Sequence, residues 1–485
     1  MGSSAPSRLQ RETRGMLLVV LMAAVFVIAT TSFVNPSIST TSPSYLATST
    51  RQPTRTRTPT RTRIPTRTPT VTRTRIPTRT PTLTRTRIPT RTPTSTRTAT
   101  PTRTATPTKT ATPTPTPPVL GDYVILGWND LGMHCYNHSF KNMAILPPYN
   151  NLYAQVIKRG DPPQIVSQGI RVQYSFPANK TSSTKTDFWS YVGQLFGVQL
   201  ANNVGLKGKG LAGVMDPSGD HFVAEGIPLT EFTDQAPQIP APYQLASLVA
   251  YDINSGATLA TLTVVAPVSS EMHCDNCHAY GKDPGGIYTI TELNILALHD
   301  QEEGTNLLNS RPVLCARCHA SNALGMPGVQ GMPSLSNAIH RQHSEEIPST
   351  LAGCYNCHPG PTTHCLRDVM SQTVPSKVDP SHNMDCIDCH GTLGNVGQNP
   401  NPWLNEPRCD NCHTGNYTQD QALYRQSKGH GGVYCEGCHD STHAIALSRE
   451  PNDAIKFVQL QGHTGTLNEC TVCHLTQPTG PGPHQ

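Results

Sequence analysis

The chain has 485 residues, of which 36% are apolar and 14% charged, with 44 prolines, 16 cysteines, 20 histidines and a formal charge of +5. Residues 1–118 hold 18 Lys or Arg against one acid, a balance of +17, which leaves −12 for residues 119–485. The basic excess therefore sits in low-complexity sequence, and a nucleic-acid-binding function is excluded.

Residues 1–48 read as a signal or anchor segment. Arg8, Arg11 and Arg14 precede an apolar run over residues 16–34, the positive-then-apolar order of an export signal. As a helix this run would rise about 28 Å, just matching a bilayer core, so a cleaved signal and an uncleaved anchor both remain open. Either one places the rest of the chain outside the cytoplasm, at the cell surface or in the extracellular space.

Residues 49–118 form a Thr/Pro/Arg-rich stalk, with RTRIPTRTPTxT repeated from Arg61, Arg73 and Arg85. Regular proline excludes helix and central strand, and alternating Thr and Arg cannot bury a core. An extended, partly polyproline spacer at about 3.1 Å per residue would reach roughly 200 Å. Such a stalk would carry the remainder from a membrane or through a cell wall, touching anionic polymers or headgroups on the way. A solvated tail is the plainer alternative.

Residues 119–270 form a β-rich region. Residues 123–128, 152–158 and 170–176 read as strands, and residues 246–253 and 257–265 flank Asn254-Ser255-Gly256 as a hairpin. Phe188, Trp189, Tyr191, Val192, Leu195 and Phe196 recur at helical spacing. A sandwich-like domain with one or two helices is expected, large enough for its own core.

Residues 271–485 are different. Cys-x-x-Cys-His occurs seven times: Cys274, Cys277 and His278; Cys315, Cys318 and His319; Cys354, Cys357 and His358; Cys386, Cys389 and His390; Cys409, Cys412 and His413; Cys435, Cys438 and His439; Cys470, Cys473 and His474. Two thiols three positions apart can each add to one vinyl group of a haem, and the adjacent His then reaches the iron. A zinc site needs paired Cys-x-x-Cys units and no trailing His, and a thioredoxin-like pair occurs once. The spacing therefore indicates seven covalently attached haems c. Apolar periodicity is weak here, so the haems would supply apolar bulk for a mostly irregular fold with short helices.

Residues 271–474 contain nine further histidines, which favours a second imidazole on each iron. The seven expected distal ligands are His299, His340, His343, His382, His430, His443 and His463; His273 and His364 are reserves. His340 and His343 would project from one helix toward two haems, and glycines around His430 allow close backbone approach. An iron with two histidines has no open position, which points to electron transfer and away from substrate chemistry; no catalytic residue is assigned. Two thiols remain, Cys135 and Cys365, which could pair with each other in an oxidising compartment. His134, Cys135 and His138 resemble a partial metal site, with a structural role preferred.

With Cys354-Tyr-Asn-Cys-His-Pro-Gly, Lys428-Gly-His-Gly-Gly-Val-Tyr-Cys-Glu-Gly-Cys-His and Thr466-Leu-Asn-Glu-Cys-Thr-Val-Cys-His, residues 271–485 resemble the exported multihaem c-type cytochromes of environmental bacteria. Trp128-Asn-Asp-Leu-Gly-Met-His-Cys is similar, more loosely, to the N-terminal part of the same group. The resemblance implies extracellular electron transfer, with other redox proteins or extracellular acceptors as partners. It also implies self-assembly into filaments as an option, in which His134, His138 or His221 could serve a neighbouring copy. Two other readings stay open: an oxidoreductase with one five-coordinate catalytic haem, and a β-rich head that binds a surface or partner and is served by the haems.

Overall fold

A computed structural model describes residues 118–278, 290–413, 419–480 and 482–484. The signal or anchor segment and nearly all of the stalk lie outside these residues. No helix among the described residues is long and apolar enough to cross a membrane.

The β-rich region is two sheets packed face to face. One sheet runs β1 (Tyr123–Trp128), β4 (Asn150–Lys158), β9 (His221–Ile227) and β8 (Asp216–Ser218), with β5 (Gln164–Ile165) on β4. The other runs β2 (His134–Cys135), β11 (Thr258–Ser269), β10 (Tyr243–Asp252), β6 (Ile170–Ser175) and β7 (Ala212–Val214). Pairing is antiparallel except where β2 joins β11. The β10–β11 hairpin turns where Asn254-Ser255-Gly256 predicts it. The Asp252 carboxylate accepts from the N–H groups of Asn254 and Ser255, and Gly256 takes the left-handed φ of 71°. The helix read from aromatic spacing is α1 (Phe188–Phe196), closed by Gly197 at φ 72°.

β10 alternates buried and half-buried residues, as a strand covered on one face should. β1 does not: Val124, Ile125, Leu126 and Trp128 are all buried. Its inner face meets the second sheet, so tightly that a Cβ on Gly127 would lie 2.5 Å from Leu248 Cδ1. Its outer face is covered by residues of the Cys-rich region. Leu126 lies under Gly437, Tyr434 meets Trp128 at a tilt with ring centres 5.4 Å apart, and Leu460 and Val472 join the sandwich core.

After residue 271 the chain is mostly irregular, with short helices: α2 (Thr291–Glu303), α3 (Leu335–His343), α4 (Leu351–Cys354), α5 (Val369–Thr373), α6 (Cys386–His390), α7 (Leu393–Gln398), α8 (Cys435–His439) and α9 (Ile455–Gln461). Among the described residues, 35 buried apolar side chains precede residue 270 and only 11 follow it. The sandwich is thus the packed scaffold, and the Cys-rich region is draped on it. Two-residue strands β3 (Met143–Ala144) and β12 (Val313–Leu314) pair in parallel immediately before Cys315, where Leu314 and Ala316 pack with Phe140, Phe188, Val192 and Leu195 of a second core.

Candidate functional site

Each Cys-x-x-Cys-His unit folds as one helical turn. The His N–H donates to the carbonyl of the first Cys in His278, His319, His358, His413 and His474, at 2.8–3.1 Å. The units ending at His390 and His439 are the α-helical turns α6 and α8. A turn of this kind sets both thiols and the imidazole on one side of the backbone.

Second histidines face most of these units. Ring centres lie 6.2 Å apart for His278 and His343, 6.3 Å for His299 and His319, and 6.0 Å for His340 and His358. His390 and His443 are 6.2 Å apart, and so are His430 and His474. Two imidazoles on one metal, with bonds of about 2.0–2.1 Å and about 1.1 Å from nitrogen to ring centre, put the centres roughly 6.2–6.4 Å apart. The side chains are thus spaced to hold an iron between each pair, and the residues fit the haem that the motifs imply.

The outer ring nitrogens support the same assignment. A metal-bound His normally donates its other N–H to a nearby acceptor, which fixes tautomer and ring orientation. Here Nδ1 of His340 and His343 meets the carbonyls of Ser336 and Ile339, one turn back on α3, at 2.7 and 2.8 Å. Nδ1 of His319 meets the Pro333 carbonyl at 3.0 Å, that of His278 the buried Asn294 Oδ1 at 2.9 Å, and that of His299 the Thr305 hydroxyl at 3.0 Å. In each case Nε2 is left for a metal. Burial lowers the pKa of His340, and it brings His443 to about 3 and His439 to about 4, with neighbouring cations contributing. These imidazoles are therefore neutral at pH 7, the form that ligates.

His382 and His463, expected as distal ligands, are placed differently. Their Nε2 atoms lie 3.5 Å from Asp379 and Glu469, and neither ring stands against a motif histidine among the described residues. The reserve His273 has Nε2 2.9 Å from Glu271 Oε1. His364 is exposed. His413 borders residues 414–418, which lie outside the described residues. One ring that reading residues 271–474 left out stands against a motif: His484, 5.7 Å from His439 between ring centres. The only sequence signal for it was an unclaimed His beyond the last motif.

The units also lie near one another in a consistent order. Helix α2 bridges two of them, with Asn294 on His278 and His299 facing His319. Asn276 Nδ2 donates to Asn356 Oδ1 at 2.7 Å, joining the first unit to the third. Burial and the neighbouring Cys274 and Cys277 push the Cys357 thiol up to about 11. Cys354 hydrogen-bonds Cys386, Cys412 adds to the raised pKa of Cys389, Cys409 to that of Cys435, and Cys438 to that of Cys473. The units therefore neighbour one another in the order second, first, third, fourth, fifth, sixth, seventh.

The sandwich supplies partners of its own. His134 Nε2 lies 2.8 Å from Asp130 Oδ1, which ties its ring into the scaffold. His221 lies between the Tyr153 and Tyr434 rings, while His138 is exposed.

No curated protein and no solved structure matches the chain. Residues 395–440 match the family model described as cytochrome c554 and c-prime. The matched span contains the units ending at His413 and His439, and together with their geometry it supports a c-type cytochrome that binds haem covalently and transfers electrons.

Proposed function

We propose that this chain is an exported multihaem c-type cytochrome holding seven haems, and that it conducts electrons along the order in which its motifs neighbour one another. The observation that carries this reading is the set of five motif histidines, each facing a second histidine at 6.0–6.3 Å between ring centres. Haem held there would supply one-electron redox chemistry. The chain's own part is to attach it through paired thiols, to orient the imidazoles through their Nδ1 atoms, and to keep them neutral by burial. Where two histidines face each other, no ligand position is left for a substrate.

Export follows from the chemistry of the N-terminal sequence and from the stalk, which would hold the folded part outside a membrane or wall. The partners proposed are other redox proteins or extracellular electron acceptors.

The test is the haem content of the mature protein from its native producer. Pyridine haemochrome and iron analysis are expected to give seven per chain, with low-spin ferric signals dominating the paramagnetic resonance spectrum. A content well under seven overturns the reading.

A further inference from the structure

The motif histidine of the seventh unit meets a different kind of acceptor from those of the first two. His278 Nδ1 lies against an amide oxygen, that of Asn294, and His319 Nδ1 against a backbone carbonyl, that of Pro333. His474 Nδ1 instead lies 3.4 Å from the Asp161 carboxylate, with side chains 19% and 36% exposed. Asp161 belongs to the sandwich, in the turn between β4 and β5. Three consecutive residues of that turn hold the unit in register. Arg159 Nη2 donates to the Thr471 carbonyl at 2.8 Å, and the Gly160 N–H donates to the Cys473 carbonyl at 3.3 Å. The Asp161 carboxylate then accepts from the Leu475 and Thr476 N–H groups and from the Thr476 hydroxyl at 2.8–3.2 Å. Arg159 Nη1 also donates to the carbonyls of Leu120 and Gly121, so the seventh unit sits where the chain enters the sandwich. A lone surface ion pair has a loose geometry. This carboxylate is fixed by three donors besides the imidazole.

An imidazole that ligates through Nε2 donates its Nδ1 proton outward, and the acceptor it finds tunes the metal. A carboxylate draws that proton more strongly than an amide or a carbonyl does, which raises the basicity of the ligand. It also adds a negative charge beside the site. Both effects favour the ferric state, which carries one positive charge more than the ferrous, and second-shell hydrogen bonds and local charge are among the levers that set a haem potential. Partial exposure lets solvent and salt weaken the charge without cancelling it. On the multihaem reading above, we infer that Asp161 is a positioning residue that lowers the reduction potential of the haem held at His474. It acts at one end of the order in which the units neighbour one another.

The test is a spectroelectrochemical titration, at one neutral pH, of the haem-loaded full-length chain, of Asp161→Asn, and of Asp161→Glu, which keeps the charge. All three are expected to hold seven haems by pyridine haemochrome. In Asp161→Asn one seventh of the absorbance change is expected to move to higher potential. The ferrous-to-ferric ratio of that haem at fixed potential should rise about three- to tenfold, or roughly 30–60 mV at 59 mV per tenfold. Asp161→Glu is expected to titrate as wild type does. His430→Gln assigns the shift, because it adds a high-spin signal that wild type lacks, from the iron held at His474. Combining it with Asp161→Asn should move the midpoint of that added signal upward by a similar amount. An unmoved titration in Asp161→Asn, an added signal whose midpoint stays in place, or an equal shift in Asp161→Glu overturns the inference. No added signal in His430→Gln overturns the pairing on which it rests, and a haem content well below seven in wild type overturns the multihaem reading instead. Should Asp161→Asn fail to load haem, Asp161→Ser takes its place with the same outcomes.

Discussion

Arg367 and Asp453 form a bidentate ion pair sealed from solvent, with Nε–Oδ2 at 2.7 Å, Nη2–Oδ1 at 3.0 Å and side chains 0% and 2% exposed. The pair holds more than itself. The Arg367 N–H donates to the His443 carbonyl, and its own carbonyl accepts from Arg449, both at 2.9 Å. His443 has the left-handed φ of 62°, an uncommon conformation for a residue with a Cβ that surrounding contacts must hold in place.

Removing one partner of a buried pair leaves the other charge uncompensated, a cost of about 3–5 kcal/mol. Asp453→Asn is therefore expected to lower the thermal midpoint of the haem-loaded protein by several degrees. It should also loosen the His443 ring facing His390, which a new high-spin component in the paramagnetic resonance spectrum would report. An unchanged midpoint and spectrum would show that the loop is held by other contacts.

Gly132 acts on the same loop from the sandwich side. It closes a turn in which Asn129 Oδ1 accepts from Leu131 and Gly132, and it has a left-handed φ of 73°. A Cβ there would lie 1.8 Å from the Thr442 carbonyl oxygen, next to His443. Gly132→Ala is expected to destabilise by about 2–4 kcal/mol and to disturb the His443 position. Gly169 serves as the control, since it has φ 71° but open space around it; Gly169→Ala should cost only about 1 kcal/mol. Thermal melts of the two variants side by side separate backbone strain from collision.

Gly132 also shows what could and could not be read from the residues alone. The segment from Trp128 to Cys135 was legible as a resemblance, but its contact with Thr442 joins residues about three hundred positions apart, and no local pattern encodes that. The β10–β11 hairpin and α1 were legible because turn chemistry and helical period are local. The covered outer face of β1 had a signal in Tyr-Val-Ile-Leu-Gly-Trp, which is apolar on both faces and so implies cover on both. The seven Cys-x-x-Cys-His units were legible because two Cys and a His at fixed spacing form a local pattern. Which second histidine faces which motif was not, since that depends on loop paths with little periodicity. His382 and His463 have the same sequence character as His430, yet carboxylates receive them. His484 lay beyond the last motif, where nothing local marks it.

Glu271 ties the start of the Cys-rich region to the turn after the third motif. Its carboxylate accepts from the N–H groups of Gly360, Thr362 and Thr363, from the Thr363 hydroxyl and from His273. Burial alone would raise its pKa, but these hydrogen bonds outweigh it and hold the carboxyl at about 2 against an ordinary 4.5. The folded value lies below the unfolded one, so the stabilisation is fully present above about pH 4.5 and is lost as pH falls through about 2. Glu271→Gln is expected to flatten stability between these limits relative to wild type. Denaturation midpoints measured from pH 6 to pH 2 should converge for the two proteins at the acid end; parallel curves would show that Glu271 does not carry the acid response.

Cys135 and Cys365 stand at the same junction. Ser269, the register partner of Cys135, has its hydroxyl 3.2 Å from that of Thr363, two residues before Cys365. Burial raises both thiols, and each sits close enough for Cys365 to add to the shift of Cys135. Cys365 Sγ is in turn 3.8 Å from His443 Nδ1. Outside the cytoplasm a disulfide-exchange catalyst would oxidise the two thiols to one disulfide, with both protons and both electrons passing to the catalyst's own disulfide. The bond would staple the sandwich to the loop that carries His443 and contribute about 2–4 kcal/mol. Peptide mapping of the exported protein without reductant is expected to find Cys135 and Cys365 linked, and Cys365→Ser is expected to lower the thermal midpoint and broaden the spectrum of the haem at His390. Alkylation of either thiol in the unreduced native protein would remove the staple from the account.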